Sequence, residues 1–256
     1  MKKLAFFFLL FLAALAAVSA AQSRETLTLA ASGCQSLQID CGAGYLKVQG
    51  DDKLEQIEVN AVLDVRGIAE SELPEFKKEY VTLKLEKIGA KAVLTARIES
   101  GFSLATFFGG RDARINLEIR MPRRLALAVE DGSGDIEIRD TDGGLDLEDG
   151  SGSIRLTHIK GTVIIDDGSG DMVLAGLGGR IEIDDGSGDI ELKDAGGDVD
   201  VEDGSGEIVI ANVSGSLTID DGSGDIVIDG VGKDLTIEEA GSGDVEIRNA
   251  KGKVRK

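Results

Sequence analysis

The sequence predicts an all-β fold, a parallel β-solenoid (β-helix) with 18-residue coils of two strands each. Three observations carry this expectation. Asp-Gly-Ser-Gly recurs at Asp131, Asp149, Asp167, Asp185, Asp203 and Asp221, every spacing being 18 residues, and a related Ala240-Gly241-Ser242-Gly243 follows after 19. Apolar pairs spaced i, i+2 recur every nine residues, from Ile136/Ile138 and Leu145/Leu147 through Ile226/Ile228 and Leu235/Ile237. A period of two marks strands with one buried face, and the Gly-rich tracts between pairs read as turns. Finally, no aromatic residue follows Phe108, which suits a thin aliphatic core between sheets about 10 Å apart.

An antiparallel meander would also place strands nine residues apart. Units 18 apart are alike, however, while the two half-units differ. In a solenoid each turn type stacks on its own kind, so the second turn is free to vary, as it does at Thr141-Asp142-Gly143-Gly144, Leu177-Gly178-Gly179 and Ala195-Gly196-Gly197. Two related architectures fail. A left-handed hexapeptide helix needs apolar residues every six positions. The calcium β-roll needs Asp two residues after its second Gly, where this chain has Ile136 and its equivalents.

From the N-terminus, Met1-Lys2-Lys3 is basic, residues 4–18 are apolar, and Val18-Ser19-Ala20-Ala21 are small. That is the three-part pattern of a secretory signal peptide over residues 1–20, with cleavage after Ala20 or Ala21. The apolar run is shorter than the roughly 20 residues a spanning helix needs, and no second run follows. The expectation is an exported protein, periplasmic or extracellular, with no stable membrane span in its mature chain.

Residues 21–129 read as an N-terminal β region. Residues 37–50 are a degenerate coil, aligning apolar positions and glycines with residues 217–230, with Cys41 standing where Asp221 stands. A non-repetitive insertion of about residues 64–113 follows. Within it residues 71–80 read as a short helix, and residues 81–85 and 92–98 alternate like a hairpin around Ile88-Gly89-Ala90. Ile115-Leu117-Ile119 and Leu125-Leu127-Val129 lead back to the regular solenoid of residues 130–256.

Charge divides the chain at the same place. Residues 22–129 hold 15 acidic and 15 basic side chains, whereas residues 130–256 hold 32 and 11, a net of −21. No basic cluster is present to neutralise phosphates, so nucleic acid is not expected as a partner.

The sequence resembles the bacterial putative-adhesin family, a domain of unknown function built of β-strand repeats. The resemblance is carried by residues 37–50, by the alternating strand 113–121 ending in Pro122, and by residues 125–138 leading into repeated Gly-Ser-Gly-Asp-Ile. It covers most of the mature chain. It implies an exported β-helical protein with no known enzymatic activity, and it brings no binding residues with it.

Candidate chemistry lies in acidic columns. Stacked coils place Asp131, Asp149, Asp167, Asp185, Asp203 and Asp221 in one line, about 4.8 Å apart, where neighbours repel by about 0.9 kcal/mol even at the dielectric of water. Asp135, Asp171, Asp189, Asp225 and Asp244 flank the same turn, with Ser153 and Glu207 as departures. Two such columns could hold calcium through carboxylate and backbone oxygens; alternatively each Asp caps its own turn. No other cofactor is expected.

A second ladder, with Asp146, Glu148, Asp166, Glu182, Asp184, Asp200, Glu202, Asp220 and Glu238, falls on an outer strand face, while the opposite face carries Val173, Ala175, Val209, Ala211 and Val227. The ladder reads as solubility charge that stops sheet association, or as a surface for cations or a basic partner. Carboxylate pairs are the raw material of glycosidases, but here they arise automatically from the repeat and none is singled out. The one histidine, His158, sits in a turn. Cys34 and Cys41 are close enough for a disulfide in an oxidising compartment. Phe102, Phe107 and Phe108, between glycines, could contact a partner or pack under the insertion.

The functional expectation is a non-enzymatic, structural or adhesin-like surface module with an unidentified protein or cell-surface partner. A calcium-dependent binder and, more remotely, a carbohydrate-active β-helix enzyme are the alternatives.

Overall fold

A computed structural model describes residues 20–99 and 112–256. The repeat region alternates between two sheets. One sheet takes β9 (Ile136–Thr141), β11 (Ile154–Ile159), β13 (Met172–Leu177), β15 (Ile190–Ala195), β17 (Ile208–Val213), β19 (Ile226–Val231) and β21 (Val245–Ala250). The other takes β8 (Ala126–Asp131), β10 (Leu145–Asp149), β12 (Val163–Asp167), β14 (Ile181–Asp185), β16 (Val199–Asp203), β18 (Leu217–Asp221), β20 (Leu235–Ala240) and β22 (Val254–Arg255). Each strand pairs in parallel with the equivalent strand of the next coil, residue i against i+18, as in Val163↔Ile181 and Met172↔Ile190. The meander is thereby excluded and the solenoid established. The one 19-residue unit is absorbed by a bulge in β20, where Asp220 pairs with Glu239.

Alternation builds the core. In β10, Leu145, Leu147 and Asp149 point inward while Asp146 and Glu148 point out. The apolar pairs of both sheets are buried along the rod, from Leu37 and Ile39 to Leu235 and Ile237.

The two corners between the sheets obey different backbone rules. At the Asp-Gly-Ser-Gly corner, successive coils run so close that a Cβ on Gly170 would stand 1.8 Å from the Gly152 carbonyl oxygen, and Gly170 has φ +146°. Only glycine fits there. The other corner has one left-handed residue per coil: Asp140, His158, Gly176, Asp194, Asn212 and Gly230 all have positive φ. The variable turn is thus restricted to the few residue types that tolerate this conformation.

The N-terminal region closes one end of the rod. The degenerate coil supplies β2 (Ser36–Cys41) and β3 (Leu46–Asp51). These pair in parallel with β8 and β9, so Leu37 lies beside Leu127. Beyond this coil the pairing changes. β7 (Asp112–Pro122) is parallel to β3, but β4 (Gln56–Arg66) is antiparallel to β7, and β1 (Ala20–Ala30) is antiparallel to β4. In the second sheet β6 (Lys91–Ile98) is parallel to β2 and forms an antiparallel hairpin with β5 (Val81–Ile88).

The hairpin and the short helix expected from the sequence are both present, the latter as α1 (Leu73–Tyr80) after a single 3-10 turn. Pro74 in its first turn costs no helical hydrogen bond, and the Glu72 carboxylate accepts the Ala69 N–H at 2.8 Å. Leu73 and Phe76, three apart, are buried, and Lys77 reaches Ser23 at 3.1 Å and pairs with Glu25, both in β1. Among the described residues no helix is long and apolar enough to cross a membrane.

Candidate functional site

The densest chemistry in the molecule is a set of three carboxylate columns beside the Asp-Gly-Ser-Gly corner. The first is internal. Asp131, Asp149, Asp167, Asp185, Asp203 and Asp221 close the strands of the second sheet and are mutually in register. Each lies two positions after an inward apolar residue, so each shares that residue's face. Their exposure is between 0% and 6%.

In five of the six, one oxygen of the carboxyl serves the turn. Oδ1 of Asp149, Asp167, Asp185, Asp203 and Asp221 accepts the N–H of the serine two residues on, at 3.0–3.3 Å. The other oxygen has no such service: Oδ2 of all six is buried without a hydrogen-bond partner. Burial, aggravated by neighbouring aspartates, pushes Asp149 and Asp167 up to about 6 and Asp185 up to about 7. Asp203 rises to about 6, chiefly by burial, and Asp221 shifts in the same direction. Asp131 also rises to about 6 by burial, moderated by a hydrogen bond from Cys41. Cys41 occupies the same position in the degenerate coil; burial and the Asp131 charge hold its thiol far above the ordinary range.

The second column flanks the corner and is solvent-exposed. Asp135, Asp171, Asp189 and Asp225 each accept a backbone N–H from the equivalent residue of the next coil, at 2.8–3.3 Å. These carboxylates stitch coil to coil. The first and second columns lie on opposite sides of the backbone, one interior and one exterior. Among the described residues no group of three or more His, Cys, Asp or Glu side chains converges as a metal cluster would.

The third column runs along the outer face of the second sheet. Glu130, Glu148, Asp166, Asp184, Glu202 and Asp220 stand in register, and Asp40 extends the line to the degenerate coil. Beside it run Asp146, Ile164, Glu182, Asp200 and Thr218. Arg97 pairs with Asp40 and, at 2.8 Å, with Glu130. Arg180 approaches Glu182 at 3.3 Å and Asp200 at 3.5 Å. Among the described residues no ion pair reaches Glu148, Asp166, Asp184, Glu202 or Asp220. Glu238 falls in the bulge that ends the series.

The outer face of the first sheet is different. Arg155, Val173, Glu191, Val209 and Val227 form its column, so charges of both signs alternate with half-buried valines.

The remaining candidates are dispersed. His158 projects into solvent from the left-handed corner, its Nδ1 3.4 Å from Asp140 Oδ1. Cys34 and Cys41 are buried free thiols. Phe102, Phe107 and Phe108 lie outside the described residues.

Sequence reasoning located the Asp column but not its direction. The signal was present in the spacing: in Leu145-Asp146-Leu147-Glu148-Asp149 the final Asp has the parity of the leucines.

The chain matches the model of the Toastrack DUF4097 family over residues 23–256. No curated protein matches it. Similar solved structures include a "putative adhesin" from Bacteroides fragilis NCTC 9343, 13% identical over 91% of this chain and 96% of that one, with a TM-score of 0.40. Another is a "putative cell adhesion protein" from Clostridium sporogenes ATCC 15579, 13% identical over 91% and 98%, with a TM-score of 0.31. A third is a "putative lipid binding protein" from Parabacteroides distasonis ATCC 8503, 13% identical over 91% and 96%, with a TM-score of 0.31.

Proposed function

The chain belongs to the Toastrack DUF4097 family, and from the surface its solenoid displays we propose that it is an exported, non-enzymatic module that acts by surface contact, in a structural or adhesin-like role. The observation that carries this reading is the unpaired outer ladder. Glu148, Asp166, Asp184, Glu202 and Asp220 repeat a carboxylate along one line, about every 4.8 Å. Repetition of one contact is how an extended surface gains avidity without any single tight site. The partner that such a surface fits is basic and itself repetitive. Its attraction is long-range and screened by salt.

The test is a strain lacking the protein, complemented with wild type or with a variant carrying Glu148→Gln, Asp166→Asn, Asp184→Asn and Glu202→Gln. Fractionation should find both forms outside the cytoplasm. Attachment of wild-type cells to a polylysine-coated surface should exceed that of variant cells several-fold, and the difference should vanish at high salt. Equal attachment by both would reduce the ladder to solubility charge, and a cytoplasmic protein would remove the reading altogether.

A further inference from the structure

We propose that the inner Asp column is a proton-loaded ladder, which makes the solenoid firmer in mild acid and looser as the medium turns neutral. The argument starts from geometry. Six carboxyls in one register line are withdrawn from water. In five of the six the turn uses only one oxygen, and the other oxygen of all six is buried with no donor. A buried carboxylate without a partner for half its charge is strongly disfavoured, and a stack of them more so. Neutralisation by a proton removes both costs and leaves Oδ1 free to go on accepting the serine N–H.

The charged and titratable groups around the column reinforce this. Asp185 is faced by Asp167, Asp203 and Asp184. Asp167 is faced by Asp149 and Asp166, and Asp149 by Asp131. Asp203 meets Asp221 and Asp189, and Asp221 meets Asp220. Among the described residues the one cation acting on the column is Arg97, at its end on Asp131, beside Cys41. The middle of the column therefore has only like-charged neighbours, which agrees with Asp185 being pushed highest, to about 7.

The direction of the effect follows by linkage. These groups hold protons in the folded chain up to about pH 6–7, against about 3.9 when unfolded. The folded state thus binds more protons across that window. Its extra stability is fully present below about pH 3.9 and is lost as pH rises through 6–7. Each carboxyl protonated only in the folded state lowers the folding constant about tenfold per pH unit gained.

The experiment is a series of thermal melts of the full chain between pH 5 and pH 8, in chelator and at high salt, which mutes the exposed charges but not the buried ones. Tm should fall from pH 5 to about pH 7 and level off between there and pH 8. The variant Asp167→Asn, Asp185→Asn, Asp203→Asn should flatten that slope, whereas Glu148→Gln, Glu202→Gln on the outer column should leave it unchanged. If the inner variant fails to fold, an infrared titration of the wild-type protein decides. Protonated-carboxyl absorption persisting above pH 5.5 supports the ladder, and its loss by pH 4.5 overturns it. A Tm independent of pH would also overturn it. So would a large Tm rise with calcium at pH 8 that matched magnesium and sodium salts do not reproduce, because the column would then hold a metal ion in place of protons.

Discussion

Asp184 and Asp185 are adjacent in sequence, alike in side chain, and stacked in columns of the same spacing. Asp184 is solvated. Asp185 is 2% exposed with one oxygen unpaired. The one difference between them is strand parity. Acidity in this chain is therefore two distinct properties: one column gives the rod its surface, and the other sets the corner on which coils turn. A net charge or an isoelectric point describes the first and says nothing of the second.

Substitutions at four positions would break or sharpen that contrast. The largest effect is expected from Ile183→Asp, which moves a charge one position from Asp184 into the core. Loss of a fully buried side chain and burial of an unpaired carboxylate should together cost on the order of 4 kcal/mol or more, read as a collapse of the denaturant midpoint. Next is Gly170→Ala, which attacks the corner beside the inner column. The added Cβ meets the Gly152 carbonyl and an unsuitable backbone angle, for a loss of about 3 kcal/mol in the same assay.

Smaller is the difference between Asp185→Ala and Asp185→Asn. Asparagine keeps an acceptor for Ser187 N–H and alanine does not, so alanine should be about 1–2 kcal/mol the less stable of the two. Equality would mean that the turn hydrogen bond contributes nothing. The smallest is Asp184→Asn. Its effect should stay within about 0.5 kcal/mol at any pH and shrink further with salt. A larger effect would show the outer column to be a structural element after all.

The repeat region was legible because its information is local. Period two, the nine-residue recurrence and the 18-residue identity fix strand, face and parallel partner together, and the register follows without further data. The hairpin at Ile88-Gly89-Ala90 and the helix ending at Tyr80 were equally local. What escaped was non-local. Ile57, Val59, Ala61, Leu63 and Val65 alternate as any strand would, but alternation does not state that β4 runs antiparallel between β1 and β7. By contrast, the likeness of residues 37–50 to later coils does place them in the solenoid, and their coil stacks across the insertion on a partner some ninety positions later, at Leu127. The Asp column itself is legible in the 18-residue spacing; its inward direction is carried only by the parity that Asp149 shares with Leu145 and Leu147.

The constant i to i+18 register has one more consequence. Each regular coil meets only the coil before and the coil after, through contacts that are chemically the same at every step. Such an array behaves as a one-dimensional chain of like units, whose stability is a sum over neighbours. A whole coil could be removed or duplicated between Asp149 and Asp185 without changing the kind of neighbour any other coil has. The N-terminal cap must be kept intact; among the described residues no contact fixes the number of coils. The fold thus works as a ruler with a free length, growing about 4.8 Å for every 18 residues added.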